Sequence, residues 1–296
     1  MALANSRVQL DPPSAPDGVY ALIERSFFGV GEIHPSNLVQ TAFLHHFGVR
    51  GGGSRIRLTR QCVSALGIED RDGICLASAV ECLHNASLVQ DDLQDNSRLR
   101  RGQASVAAKF GRDVALSLTD QLITTAFVCL SRVSQPGKLP FLISRINHAV
   151  SETVEGQTCE LSGSLDGSSV ERYLNAARKK SGPLFALSLE LPLIFARHAE
   201  FLELAHEAAC QFGLGYQILD DLKDQVSDLP GERSGNVVFA LQKTDGSHSA
   251  EAKAAVMAQG FLQEASDRAE SLPHDCGRSL IELVQILTPQ IDAFTS

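Results

Sequence analysis

Three carboxylates stand within five residues, at Asp91, Asp92 and Asp95, and three guanidinium groups follow at Arg98, Arg100 and Arg101. On a helix Asp91 and Asp95 share one face, about 6 Å apart along the axis. Clustered carboxylates repel one another unless a cation lies among them. Hard oxygen donors at this spacing suit Mg²⁺. One such cluster describes a solvated acidic helix end equally well. The second cluster decides between the two readings: GYQILDDLKD brings Asp220, Asp221 and Asp224 in the same pattern. Each cluster closes a strongly apolar stretch. Two such helices packed together place both carboxylate sets at one end of a shared apolar cavity. That end fits a ligand with an apolar tail and a diphosphate head, with Mg²⁺ bridging carboxylate and phosphate oxygens. Arg100 and Arg101 offer forked contacts to phosphate, whereas Arg98 is left to balance the aspartates.

The elements that must position these residues read as helices nearly throughout. Apolar residues recur at three- and four-residue steps over Val19–Phe28, and Pro35 and Ser36 open a helix that closes at Gly48. A glycine-rich loop, GVRGGGSRIRL, leads into the next helix. The stretch ending in the first cluster, GICLASAVECLHNASLVQDD, is apolar on nearly every face and predicts an interior helix. One or two helices are expected over 105–133, and another from Leu139 to a stop at Gly163. Ser168 and Ser169 are candidate caps for a segment that Pro183 and Pro192 are expected to break into pieces. A long helix then carries the second cluster, and two more finish the chain. No strand alternation appears. The expectation is an all-α, single-domain antiparallel bundle around a central apolar cavity, covering 18–296 after a disordered arm at 1–17.

Composition excludes several functions. The chain has 296 residues, 44% hydrophobic, with net charge −9, so the basic surface that nucleic acid requires is missing. No apolar run reads as long enough to span a bilayer, and no signal-peptide pattern opens the chain. Seven cysteines without a C-x-x-C pair predict reduced, mostly buried thiols in a cytoplasmic protein. His45 and His46 lack companion ligands at metal-binding spacing and read as structural.

The motifs, taken together, resemble the trans-isoprenyl diphosphate synthases. LHNASLVQDDLQDNSRLRRG resembles that family's first aspartate-rich motif, and GYQILDDLKD its second. GGSRIR stands where the family has G-G-K-R-x-R, EGQTCEL resembles its G-Q-x-x-D/E-L helix, and KKSG stands for its K-T-G. These matches keep the family order across roughly residues 40–225. The resemblance implies a homodimer of the isoprenoid synthase fold and three Mg²⁺ ions per site. It implies that an allylic diphosphate is held through Mg²⁺ by Asp91, Asp92, Asp95, Asp220, Asp221 and Asp224, helped by Arg100, Lys180 and Gln217. Isopentenyl diphosphate is implied to lie on Arg55, His84 and Arg101. The implied reaction is ionisation of the allylic diphosphate, head-to-tail condensation and loss of a proton. Asp91, Asp92, Lys180, Gln217 and Asp220 are its catalytic candidates. On residue chemistry alone, His84 reads equally as a core histidine and Lys180 as a surface lysine.

The chain also departs from the pattern. Ser54 takes the place of the family lysine, with Arg50, Arg57 or Arg60 as candidate replacements. The G-K-x-T-L-P segment is missing, with Arg233 or Lys243 as candidates, and the basic tail is absent. The resemblance places product length under the residues before Asp91. Ala86 and Ser87 are small there, with Leu83 a turn below, which favours a twenty-carbon geranylgeranyl product. A farnesyl or longer polyprenyl synthase, a terpene cyclase-like enzyme and a non-catalytic partner subunit are the alternatives.

Overall fold

The structure, a computed structural model, describes residues 15–29, 36–161, 169–224, 236–245 and 250–294. Twelve α-helices account for nearly all of these: α1 Ala15–Phe28, α2 Leu38–Gly48, α3 Ser54–Ala65, α4 Asp70–Gln94, α5 Val106–Phe110, α6 Arg112–Leu130, α7 Leu139–Leu161, α8 Val170–Phe195, α9 Leu202–Asp224, α10 Val237–Asp245, α11 Ala250–Glu270 and α12 Arg278–Asp292. The arm expected at 1–17 lies outside the described residues up to 14, and α1 already begins at Ala15. The Gly163 stop and Arg233 also lie outside them.

Three expectations are corrected. The cap of α2 is Asn37, whose side chain accepts from Val39 N at 3.1 Å and Gln40 N at 3.2 Å, rather than Pro35 or Ser36. Pro183 and Pro192 do not divide α8, which runs unbroken from Val170 to Phe195. Nearly every side chain from Gly182 to Leu193 is buried, so packing on both faces outweighs the two missing N–H donors. The third concerns α6, which by length and composition is apolar enough to cross a membrane. Its Ala115, Leu118, Leu122 and Ala126 are fully buried, and the helix packs against α4.

A short hairpin also escaped the helical periodicity. Strands β1 Leu99–Arg100 and β2 Gln103–Ala104 pair antiparallel, with Leu99 opposite Ala104. Arg101 (φ 52°) and Gly102 (φ 78°) make the turn in the left-handed region. The hairpin folds the arginines back towards the end of α4.

Helix α8 is the shared wall of two apolar cores. Leu184, Leu187 and Leu191 pack into one with α4 and α6. Phe185, Leu189 and Leu193 pack into the other with α9 and α11. Glycines let its neighbours come close. A Cβ on Gly156 of α7 would lie 2.4 Å from Lys180 N and 2.9 Å from Lys180 Cα. On α9, a Cβ on Gly213 would lie 3.0 Å from Gly182 N. The three helices therefore meet almost backbone to backbone, which fixes the height of Lys180 on α8.

Asp221 pins α9 to its surroundings. Its side chain is buried and accepts from Tyr173 Oη of α8 at 2.6 Å, Val237 N of α10 at 2.8 Å and Gln217 Nε2 at 3.2 Å. Burial pushes its carboxyl up to about 6, while the three donors pull the other way. Because the folded value exceeds the unfolded one, this group favours the folded state most at low pH. That contribution is lost as pH rises through about 6. Wild-type protein should therefore gain stability on the Asp221→Asn variant as pH falls from 7 to 4 in denaturant titrations. A difference independent of pH would contradict the burial argument. Gly156→Ala should cost about 1–3 kcal/mol, read in the same titrations, because the new methyl group meets backbone rather than a movable side chain.

Candidate active site

The ends of α3, α4, α7 and α9, the middle of α8 and the hairpin turn line a cavity of about 520 Å³. Its rim holds Asp91 from α4 and Asp220 from α9, so the two acidic clusters do converge on one hollow. Four cations reach it: Arg55, Arg100, Arg101 and Lys180. Lower walls include Ser87, Leu88, Thr153, Val154 and Leu184.

The six aspartates do not behave alike. Asp91 faces Lys180 Nζ at 3.1 Å and Arg100 at 3.5 Å. Asp92 is buried and takes the Arg100 fork, with Nη2 at 2.6 Å and Nε at 3.0 Å from Oδ1. Burial pushes the Asp92 carboxyl up, and this two-pronged contact opposes the shift. Asp95 is exposed at the end of α4. Neither Asp92 nor Asp221 lines the cavity, and both spend their oxygens on protein donors. The Asp224 side chain lies outside the described residues.

The expected cations fall into place differently. Arg55 is half-buried, stacks 3.7 Å over the Phe185 ring and donates from Nη1 to His84 Nε2 at 3.2 Å. Burial lowers Arg55 to about 10, which leaves it charged at neutral pH. The same burial, with Arg55 next to it, holds His84 well below its usual value. Through Nε2, His84 accepts from Arg55 and orients it. Arg101 donates to Val49 O at 3.0 Å and lies against Gly51, where a Cβ would come within 2.7 Å of Nη2. Gln217 accepts from Ser181 Oγ at 3.2 Å and lines the cavity with Lys180.

Among the described residues, none of the candidate substitutes for the missing lysines lines the cavity. Arg50 pairs with Asp17 at 3.1 Å and stacks on Tyr20; Arg60 is held by Asp70; Arg57 and Lys243 are exposed. Ser54 itself does line the cavity. Leu83 and Ala86 are buried in the core beside it without lining it, so of the three chain-length candidates only Ser87 does. Sequence reasoning missed Glu81, a buried carboxylate on the cavity wall that accepts from Asn85 Nδ2 at 2.9 Å and Tyr20 Oη at 3.3 Å. It also missed Gly156. Nothing in the residue pattern marks Glu81, whereas Gly156 stands inside EGQTCEL.

The cavity also concentrates unfinished hydrogen bonding. Arg55 Nε, Gln94 Oε1 and Gln157 Nε2 are withdrawn from solvent without a hydrogen-bond partner, and all three residues line it. Orphaned groups gathered in one hollow call for a polar ligand there. Among the described residues no three His, Cys, Asp or Glu side chains form a metal cage by themselves. That fits Mg²⁺, which keeps its waters and takes one or two carboxylates plus substrate phosphate. Asp91 and Asp220 offer such hard oxygens from opposite helices.

The polyprenyl synthetase family model matches residues 36–238. A geranylgeranyl pyrophosphate synthase of Geoglobus acetivorans is 33% identical over 65% of this chain and 61% of its own length. A probable farnesyl diphosphate synthase of Bradyrhizobium diazoefficiens is 34% identical over 78% of the chain and 71% of its length. A decaprenyl diphosphate synthase structure from Rhodobacter capsulatus superposes with a TM-score of 0.80 at 19% identity, covering 94% of this chain and 96% of that one. With its cavity, its paired acidic helices and these likenesses, the chain belongs to the polyprenyl synthetase family.

Proposed function

We propose that the protein is a trans-prenyltransferase that joins isopentenyl diphosphate head-to-tail to an allylic diphosphate. The observation supporting this most directly is the meeting of Asp91, Asp220, Lys180, Arg55 and Arg101 around one hollow with apolar walls beneath. Mg²⁺, when bound with substrate, supplies charge neutralisation at the leaving diphosphate. Asp91, Asp95 and Asp220 are its holders, with Asp224 retained from its helical spacing after Asp220 and three ions per site as the expected count. Asp92 and Asp221 act as supports for these, not as ligands.

Lys180 and Arg100 neutralise the allylic diphosphate as its bond to carbon breaks, which is where charge develops. Gln217, tied to Ser181 and Asp221, keeps the α9 side of the rim in register. Arg55 and Arg101 hold the second diphosphate, with Arg55 aimed by His84 and by the Phe185 ring. Leu88, Val154 and Leu184 exclude water from the cation formed there. Neither α4 nor α7 places a Phe, Tyr or Trp on the cavity wall, so Ser87 leaves room for a growing chain. A geranylgeranyl product is the reading this supports, in a homodimeric cytoplasmic enzyme. The likenesses to farnesyl and decaprenyl synthases make product length the first quantity to measure.

Incubation with Mg²⁺, isopentenyl diphosphate and allylic diphosphates of five, ten and fifteen carbons should yield a twenty-carbon product by chromatography. No elongation from any of them would sink the reading. Asp91→Ala should abolish turnover while its circular dichroism stays that of a folded helical protein. Ser54→Lys adds a cation on the cavity wall and should lower the Michaelis constant for isopentenyl diphosphate about tenfold, the effect of one charged hydrogen bond. An unchanged constant would show that Arg55 and Arg101 already saturate that diphosphate.

A further inference from the structure

Tyr216 stands on α9 one turn before Asp220, on the same face and about 6 Å away along the axis. It lines the cavity together with Ser54 and Arg55. Among the described residues no group hydrogen-bonds its hydroxyl. We propose that Tyr216 is a further substrate-binding residue, whose hydroxyl donates to isopentenyl diphosphate where Ser54 leaves a donor missing. The proposal rests on the synthase reading above.

Two neighbouring rings restrict the rotamers of Tyr216. Its centroid lies 6.2 Å from that of Phe185 and 6.3 Å from that of Phe212. Both phenylalanines are buried, and they meet edge-on at 5.0 Å. The Arg55 guanidinium lies 3.7 Å over Phe185, so one ring supports both Arg55 and Tyr216. Tyr216 itself stays 37% exposed, which leaves its polar end open to a ligand. Burial pushes its phenol up, Asp220 adds to that and Arg55 opposes it. The proton therefore stays on oxygen at neutral pH, and the group meets an anion as a donor.

A donor is what this part of the wall lacks. On the synthase reading Arg55 and Arg101 meet the second diphosphate, and each is already engaged in part. Arg55 Nη1 donates to His84 Nε2 at 3.2 Å, and Arg101 Nη1 to Val49 O at 3.0 Å. Ser54 brings no positive charge, and Glu81 adds a carboxylate to the same cavity. A phenol adds a hydrogen bond to a charged acceptor, the stronger class of such bonds. A lysine at 54 and the Tyr216 hydroxyl would act on one diphosphate, so the presence of either makes the other matter less.

Tyr216→Phe removes the hydroxyl and keeps the ring packing. It should raise the KM for isopentenyl diphosphate about tenfold and leave that for the allylic diphosphate within about twofold, as loss of one hydrogen bond to a charged group at one substrate requires. In Ser54→Lys protein the same change should raise it less than about threefold, because two groups that share a partner are not additive. Calorimetric titration with isopentenyl diphosphate in EDTA reads the first effect without turnover, and affinity should fall about tenfold there too. A rise in both Michaelis constants alike, a rise for the allylic substrate alone, or full additivity with Ser54→Lys overturns the proposal. So does a titration in which the variant matches wild type, or in which wild type does not bind. Wild-type protein that binds isopentenyl diphosphate yet elongates nothing defeats the synthase reading, and the titration of the variant still decides this one.

Discussion

Carboxylates facing one another across a hollow cannot be held close without cations between them, and the rest of the site follows from that constraint. Two like charges about 4 Å apart cost roughly 4 kcal/mol at the dielectric of a protein surface. In this structure Lys180 and Arg100 supply the balance at Asp91, at 3.1 and 3.5 Å. Both are also the groups best placed to meet a diphosphate. A cation carried in on phosphate would take over the carboxylate and release Lys180 towards the phosphate oxygens. On the proposed reading, the same rim cations would neutralise the carboxylates before substrate arrives and the diphosphate after.

That exchange works only if Lys180 stands at the right height, and glycines set the height. Gly156 lets α7 touch the Lys180 backbone, and Gly213 lets α9 touch Gly182 two residues further along. Side chains cannot be repacked to absorb a change where backbone meets backbone, so the position of α8 is set by three residues without side chains. The two prolines in α8 fit the same account. A helix gripped on both faces tolerates the loss of two backbone donors that would break an isolated one.

Much of this was legible in the residues. The repeated spacing of aspartates after apolar helices located the cavity mouth, because a helical period of 3.6 fixes which side chains share a face. The bundle followed from periodicity alone. The hairpin did not, since two residues per strand are too few for alternation to show and its turn rests on Arg101 adopting a left-handed conformation. The setting of His84 was not legible, because it depends on burial and on Arg55, which lies 29 positions away. Glu81 gave no signal, because a carboxylate becomes part of a wall only through Tyr20 and Asn85. The described candidates for the missing lysines each have a nearer partner or face solvent, which spacing alone does not reveal.

The adjacent aspartates resolve into two jobs. Neighbours on an α-helix point about 100° apart, so Asp91 and Asp92 cannot both face the cavity, nor can Asp220 and Asp221. In each pair the first lines the rim. The second turns inward and grips the segment that follows its own helix: Asp92 holds Arg100 in the hairpin after α4, and Asp221 holds Val237 N at the start of α10 after α9. Each doublet thus couples a binding carboxylate to the local fold beside it. Loss of the second aspartate would disturb the first through the local fold, so the doublet spacing answers a structural need as well.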